Sequence, residues 1–115
     1  MLNSLILVGR LTKEIVIKET ETGKKVGTIS LAIPRSFKNA DGVYETDFIN
    51  CTLWEEKAKL IKEYCKTGDI VGIRGRLQSS IIKSDETTKY FLEVIAEKIT
   101  FLSNKKKNDV KNIDN

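Results

Sequence analysis

The chain contains no histidine. That absence excludes Ser-His-Asp and Cys-His nucleophilic arrangements, histidine general bases and most zinc hydrolases. Cysteine is nearly as scarce. Cys51 and Cys65 are too few for a disulfide framework and, without histidine, too few for a zinc site. Such sparing use fits a reducing, cytoplasmic setting. The seven glycines are scattered, and none builds a phosphate-cradling loop that leads into a helix with Lys-Ser/Thr. Gly72 and Gly75 fall inside a strand pattern, where they mark close packing or a bend. No apolar run nears the ~18 residues of a spanning helix. The opening residues Met1-Leu2-Asn3-Ser4 show no basic segment before an apolar core and cleavage site. Neither a membrane location nor a secretory signal is expected. Paired carboxylates are missing too: Glu55 and Glu56 diverge on a helix, and Asp85 and Glu86 lie in a polar turn. The expectation is a protein that is not an enzyme and needs no cofactor and no metal.

What is present is an ordinary globular mixture, 40% hydrophobic and 31% charged over 115 residues, enough for one domain. Lys and Arg outnumber Asp and Glu by 20 to 16, a net charge of +4. A mild basic excess points weakly toward an anionic partner, and position must decide its meaning. Residues 1–102 read as one folded unit. From Ser103 to Asn115 the character changes: Lys105, Lys106, Lys107 and Lys111 stand against Asp109 and Asp114, with Val110 and Ile113 the apolar residues. Such a segment buries too little surface to offset its ordering entropy, so 103–115 is expected to be a short basic, disordered tail.

The folded part alternates as strands do. Leu5-Ile6-Leu7-Val8 is an apolar run ended by Gly9, and a weaker strand follows at Ile15–Lys18. Val26–Ile33 places Ile29, Leu31 and Ile33 on one side and Thr28, Ser30 and Ala32 on the other. Pro34 ends its regular pairing, and Lys38–Gly42 carries turn chemistry. Tyr44–Trp54 is a long strand. Glu55–Lys66 is the one convincing helix, with Ala58, Ile61 and Cys65 on one stripe and Gly68 as its expected C-terminal cap. Asp69–Leu77 and Tyr90–Phe101 are the last strands, joined through the polar tip Ser84–Thr88. The fold class is therefore all-β with one helix. Five strands with a helix between the third and fourth match the OB-fold, a five-stranded, partly open barrel; a generic α+β meander is the competing reading.

The strand Tyr44–Trp54 is the informative one. Ile49, Cys51 and Leu53 share a face that suits a core, while Phe48, Asn50, Thr52 and Trp54 share the other. Aromatic rings among polar groups on a β surface suit base stacking. The competing reading has Trp54 covering the helix start and Phe48 capping the barrel mouth. Phe37 lies between Arg35 and Lys38 and is either a further stacking ring or a loop anchor. Arg74 and Arg76 share a face of the fourth strand, where guanidinium groups either meet phosphate or pair with nearby carboxylates. Arg10, Lys13 and Lys18 are candidates for the same basic track.

Six segments in register then carry a resemblance. Leu5-Ile6-Leu7-Val8-Gly9-Arg10-Leu11-Thr12, Ile29-Ser30-Leu31-Ala32, Arg35-Ser36-Phe37, Asp47-Phe48-Ile49-Asn50-Cys51-Thr52-Leu53-Trp54, Tyr64-Cys65-Lys66-Thr67-Gly68 and Gly72-Ile73-Arg74-Gly75-Arg76-Leu77 are similar to the bacterial-type single-stranded DNA-binding proteins. The resemblance spans Met1 to about Leu102. It implies an OB-fold subunit that forms a homotetramer and coats single-stranded DNA in replication, recombination, repair or DNA uptake. Phe37, Phe48 and Trp54 occupy three of the family's stacking positions, and Ile82 stands where a fourth aromatic is usual. Lys18 matches a basic position, whereas Asn50, Gln78 and Ser80 stand where cations are usual; Arg35, Arg74, Arg76 and Lys83 are possible substitutes. The segment Asn3, Ser4, Leu5, Ile6 and Leu7 matches the strand that pairs between subunits. The Lys-rich ending implies the short form without an acidic tail, so docking of replication enzymes through such a tail is not expected. The alternative function is an OB-fold protein-interaction module of the replication or restart machinery.

Overall fold

A computed structural model describes residues 1–103. The elements run β1 (Leu5–Leu11), β2 (Val16–Glu19), β3 (Lys25–Lys38), β4 (Tyr44–Trp54), α1 (Glu56–Tyr64), β5 (Ile70–Lys83) and β6 (Thr88–Ser103). The sheet order is β1-β5-β6-β4-β3-β2, and β1 also pairs with β3. That last pairing closes β1, β3, β4, β5 and β6 into a five-stranded barrel with α1 between β4 and β5: an OB-fold, with β2 laid along the start of β3. Two seams are short. β1 meets β3 at Arg10↔Ala32 and Leu11↔Leu31, and β4 meets β6, in parallel, at Cys51↔Val94 and Thr52↔Ile95. The expected opening of the barrel is thus closed by narrow contacts.

Strand alternation sends one set of side chains inward. Leu11, Ile29, Leu31, Cys51, Leu53, Val71, Ile73, Val94 and Ala96 fill the barrel. Ala58 and Ile61 of α1 are buried against that core, while Leu60 and Tyr64 on the flanks of the same stripe stay exposed. Gly75 marks the tightest place, because a Cβ there would collide with the Ile95 carbonyl of the neighbouring strand.

The strands outrun their sequence limits. Pro34 does not end β3; it pairs with Thr46, and the register shifts between Pro34 and Lys38. Proline is tolerated at such an irregularity, where the ladder does not need its missing N–H. β5 and β6 extend past Leu77 and before Tyr90 into a long hairpin closed at Ser84 and Thr87. The helix is shorter than expected: Cys65 is extended, with φ −122°, and ends it. Gly68 is therefore not its cap. It sits at φ +97° in the turn between Lys66 and Asp69, where its N–H donates to the Leu11 carbonyl and ties the turn to β1. Of the expected tail, all but Ser103, which ends β6, lies outside the described residues.

Candidate nucleic-acid interface

The outward side of β2, β3 and β4 forms a continuous surface whose register can be followed row by row. Phe48 lies beside Ala32 and then Arg10; Asn50 beside Ser30; Thr52 beside Thr28 and then Val16; Trp54 beside Val26 and then Lys18. Neighbouring strands stand ~4.8 Å apart, so Arg10 and Lys18 are each about 10 Å from an aromatic residue. Phe48 and Trp54 are separated by roughly 20 Å along β4. The relative exposure of Phe37, Phe48 and Trp54 is 63%, 69% and 38%. Those values decide against Phe37 as a buried anchor and against Phe48 as a buried plug. A shallow groove of about 260 Å³ runs across this surface, lined by Lys13, Glu14, Val16, Lys18, Val26 and Thr28.

Trp54 owes its position to the junction behind it. Glu55 has φ +52°, a left-handed conformation that costs a non-glycine residue of the order of 1–3 kcal/mol. Two bonds to Lys25 hold it: the Glu55 N–H donates to the Lys25 carbonyl at 2.8 Å, and its Oε1 accepts from the Lys25 N–H at 3.1 Å. The chain turns there from strand to helix, so Trp54 stays on the outer face as the last residue of β4.

Phe37 sits on an arm formed by the outer halves of β3 and β4. Arg35 braces that arm. Its Nη2 and Nε contact Asp47 Oδ1 at 2.9 and 3.1 Å, and its Nη1 contacts Glu45 Oε2 at 2.7 Å. The hydrogen bond from Arg35 holds the Asp47 carboxyl below its usual range, and the Arg35 guanidinium is raised in turn. A cation held by two carboxylates adds little net charge to the surface, so in this structure Arg35 is a brace. Lys38 lies 5.6 Å from the centre of the Tyr44 ring at the far end of the arm.

The two arginines of β5 part company. Arg76 lies beside Ile95, which lies beside Thr52, so its row joins the outer face of β4; its Nη1 meets Glu97 at 3.3 Å and its Nη2 meets Gln78 at 3.1 Å. Arg74 has Ile6 on one side and Lys98 on the other, and its row contains no residue of β3 or β4. The guanidinium of Arg10 donates to the Gly68 carbonyl at 2.6 Å. The Lys18 ammonium makes no hydrogen bond or ion pair among the described residues.

Ile82 and Lys83 are exposed near the tip of the β5–β6 hairpin. Ile82 lies opposite Lys89, and Ser80 opposite Phe91, so Ile82, Lys89 and Phe91 share one side of the hairpin. Lys89 and Phe91 went unread in the sequence. Their alternation is visible there, but their register against Ile82 depends on where the turn falls. Asn3 has partners within its own chain: its side-chain Nδ2 donates to the Leu77 carbonyl at 2.7 Å and its Oδ1 accepts from the Leu77 N–H at 3.0 Å. Leu5 and Leu7 are partly buried against the core, whereas Ile6 faces outward. Burial pushes both thiols up to about 11, with Asp69 adding to the effect at Cys65, so neither is a reactive thiolate near neutral pH. Among the described residues there is no group of three or more His, Cys, Asp or Glu able to hold a metal, and no helix long and apolar enough to cross a membrane.

Comparison with known proteins agrees with this geometry. Residues 2–102 match the single-strand binding protein family. Single-stranded DNA-binding protein B of Bacillus subtilis is 42% identical over 106 residues, covering 91% of this chain and 94% of that protein. Single-stranded DNA-binding protein 1 of Lactococcus lactis is 39% identical over 107 residues, covering 92% of this chain and 71% of that protein. Among solved structures, a Plasmodium falciparum SSB complex with ssDNA superimposes with a TM-score of 0.76 at 26% identity, covering 90% of this chain and 96% of the other. The chain belongs to the single-strand binding protein family.

Proposed function

We propose that this protein binds single-stranded DNA without strict sequence preference and coats it. The observation that carries the reading is the exposure of Phe48 and Trp54 on one face, each in a row that ends in a cation, Arg10 or Lys18. Every base has a π face, so stacking tolerates sequence; it is worth ~1–3 kcal/mol per base, a magnitude characteristic of this class of protein and not one obtained for this chain. Arg10 and Lys18 supply phosphate contacts and hence salt-sensitive affinity. Phe37 on its arm, and Ile82 with Lys89 on one side of the long hairpin, extend the track beyond the barrel, while Lys83 faces the other side of that hairpin. Coating of this kind serves to protect exposed strands during replication, recombination, repair or DNA uptake.

Assembly into a homotetramer is part of the same reading. β5 pairs with one edge of β1 from Leu5 to Arg10, and β3 takes the other edge only at Arg10 and Leu11. The β3-side edge of Leu5–Val8 therefore has no strand partner among the described residues, and Ile6 and Val8 are exposed beside it. An unpaired apolar strand edge is a template for another copy of itself. Titration with oligo-dT tests the binding reading: Trp54 emission should be quenched at low salt and recover as salt is raised. Unchanged emission together with no mobility shift would overturn it.

A further inference from the structure

The stretch between the two aromatics of β4 is chemically distinct. Asn50 and Ser30 are paired across β4 and β3 and point outward between the Phe48 row and the Trp54 row. Directly opposed residues bring their Cβ atoms to within ~5 Å. The Asn50 amide and the Ser30 hydroxyl make no hydrogen bond to any described residue. The next row differs, because the Thr52 hydroxyl already donates to Glu93 at 3.2 Å. The face thus holds an uncommitted, uncharged donor-and-acceptor pair between its two exposed aromatic residues.

We propose that Asn50, with Ser30 beside it, contacts base edges and biases binding toward adenine. This inference rests on the reading of the face as a single-stranded DNA site. An amide sets a donor beside an acceptor and so needs an acceptor beside a donor. Adenine offers that pair on both accessible edges, N6–H with N7 and N6–H with N1. On the Watson–Crick edge guanine, cytosine and thymine also set a donor beside an acceptor. On the N7 side, however, guanine offers two acceptors, thymine an acceptor and a methyl, and cytosine a donor alone, so adenine is the one base that fits the amide on both edges. Adenine therefore meets the amide in either orientation of the base about its sugar. Lacking charge, Asn50 adds no counterion release, so its contribution does not depend on salt as that of Lys18 does.

The experiment compares the wild-type protein with Asn50→Leu, which keeps the size of the side chain and removes its hydrogen bonds. Affinities for oligo-dA and oligo-dT of equal length are read by Trp54 quenching at several salt concentrations, with circular dichroism as the folding control. Taking the ratio of the two variants cancels the self-stacking of oligo-dA. Asn50→Leu should weaken dA relative to dT by about fivefold and leave the salt slope of each unchanged. Equal weakening of both oligonucleotides, no weakening, or a shallower salt slope would overturn the role of Asn50 while quenching still upheld the binding reading. Failure of every oligonucleotide to quench the wild-type protein would overturn both.

Discussion

Phe48 contributes little to the core that holds the barrel together, because its ring lies outside. Phe48→Ala is therefore expected to leave thermal stability within about 0.5 kcal/mol of the wild type while weakening oligo-dT binding by ~1–3 kcal/mol; calorimetry and a quenching titration check the two halves. The cysteines behave oppositely. Burial raises both thiols from 9.0 to about 11 in the fold, so between those values the unfolded chain loses protons that the folded chain keeps. Linkage then makes stability fall as pH rises from 9 to 11 and leaves it insensitive to these groups below 9. Denaturant midpoints at pH 8, 9.5 and 11, compared with those of Cys51→Ala, should show the decline in the wild type and a smaller one in the variant.

At the scale of elements, the β5–β6 pair is the longest ladder, and Gly75 lets it close. A methyl at that position meets backbone, the Ile95 carbonyl, which cannot rotate away as a side chain can. Gly75→Ala is expected to unfold the protein or lower its stability by several kcal/mol, well beyond the ~1 kcal/mol typical of a point substitution, as read by chemical denaturation. The β3–β4 arm depends on charge instead. Asp47, held below its usual range by Arg35, keeps the brace through neutral pH and releases it as the carboxyl protonates in acid.

At the scale of the whole molecule, the barrel has two kinds of outer surface. The β2–β3–β4 side carries the aromatic and amide rows, and the β1–β5 side carries Ile6 beside Arg74. The second is the surface proposed for assembly. Ile6→Lys, at a position 73% exposed in the single subunit, is expected to leave the fold intact and lower the mass measured by light scattering. An unchanged mass would place the subunit contact elsewhere. Any avidity gained by wrapping one strand over several subunits should fall with it.

The sequence by itself determined which side chains of β3 and β4 face inward and which outward, because a strand alternates with a period of two. It did not show the register shifts of the β5–β6 ladder, where Val71, Gly72 and Ile73, and Val94, Ile95 and Ala96, are buried in succession. The limits of β4 and the split between Cys51 and Leu53 on one face and Phe48, Asn50 and Trp54 on the other were legible because of that alternation. Tertiary structure decided which outward residues meet. Whether a cation is free depends on register across strands distant in sequence: Arg35 finds Asp47 and Glu45, Arg74 lies beside Ile6, and Lys18 reaches the row of Trp54 through Val26. The turn after the helix was decided the same way, because the Gly68 N–H bonds to the Leu11 carbonyl, a partner that exists only once β1 is in place.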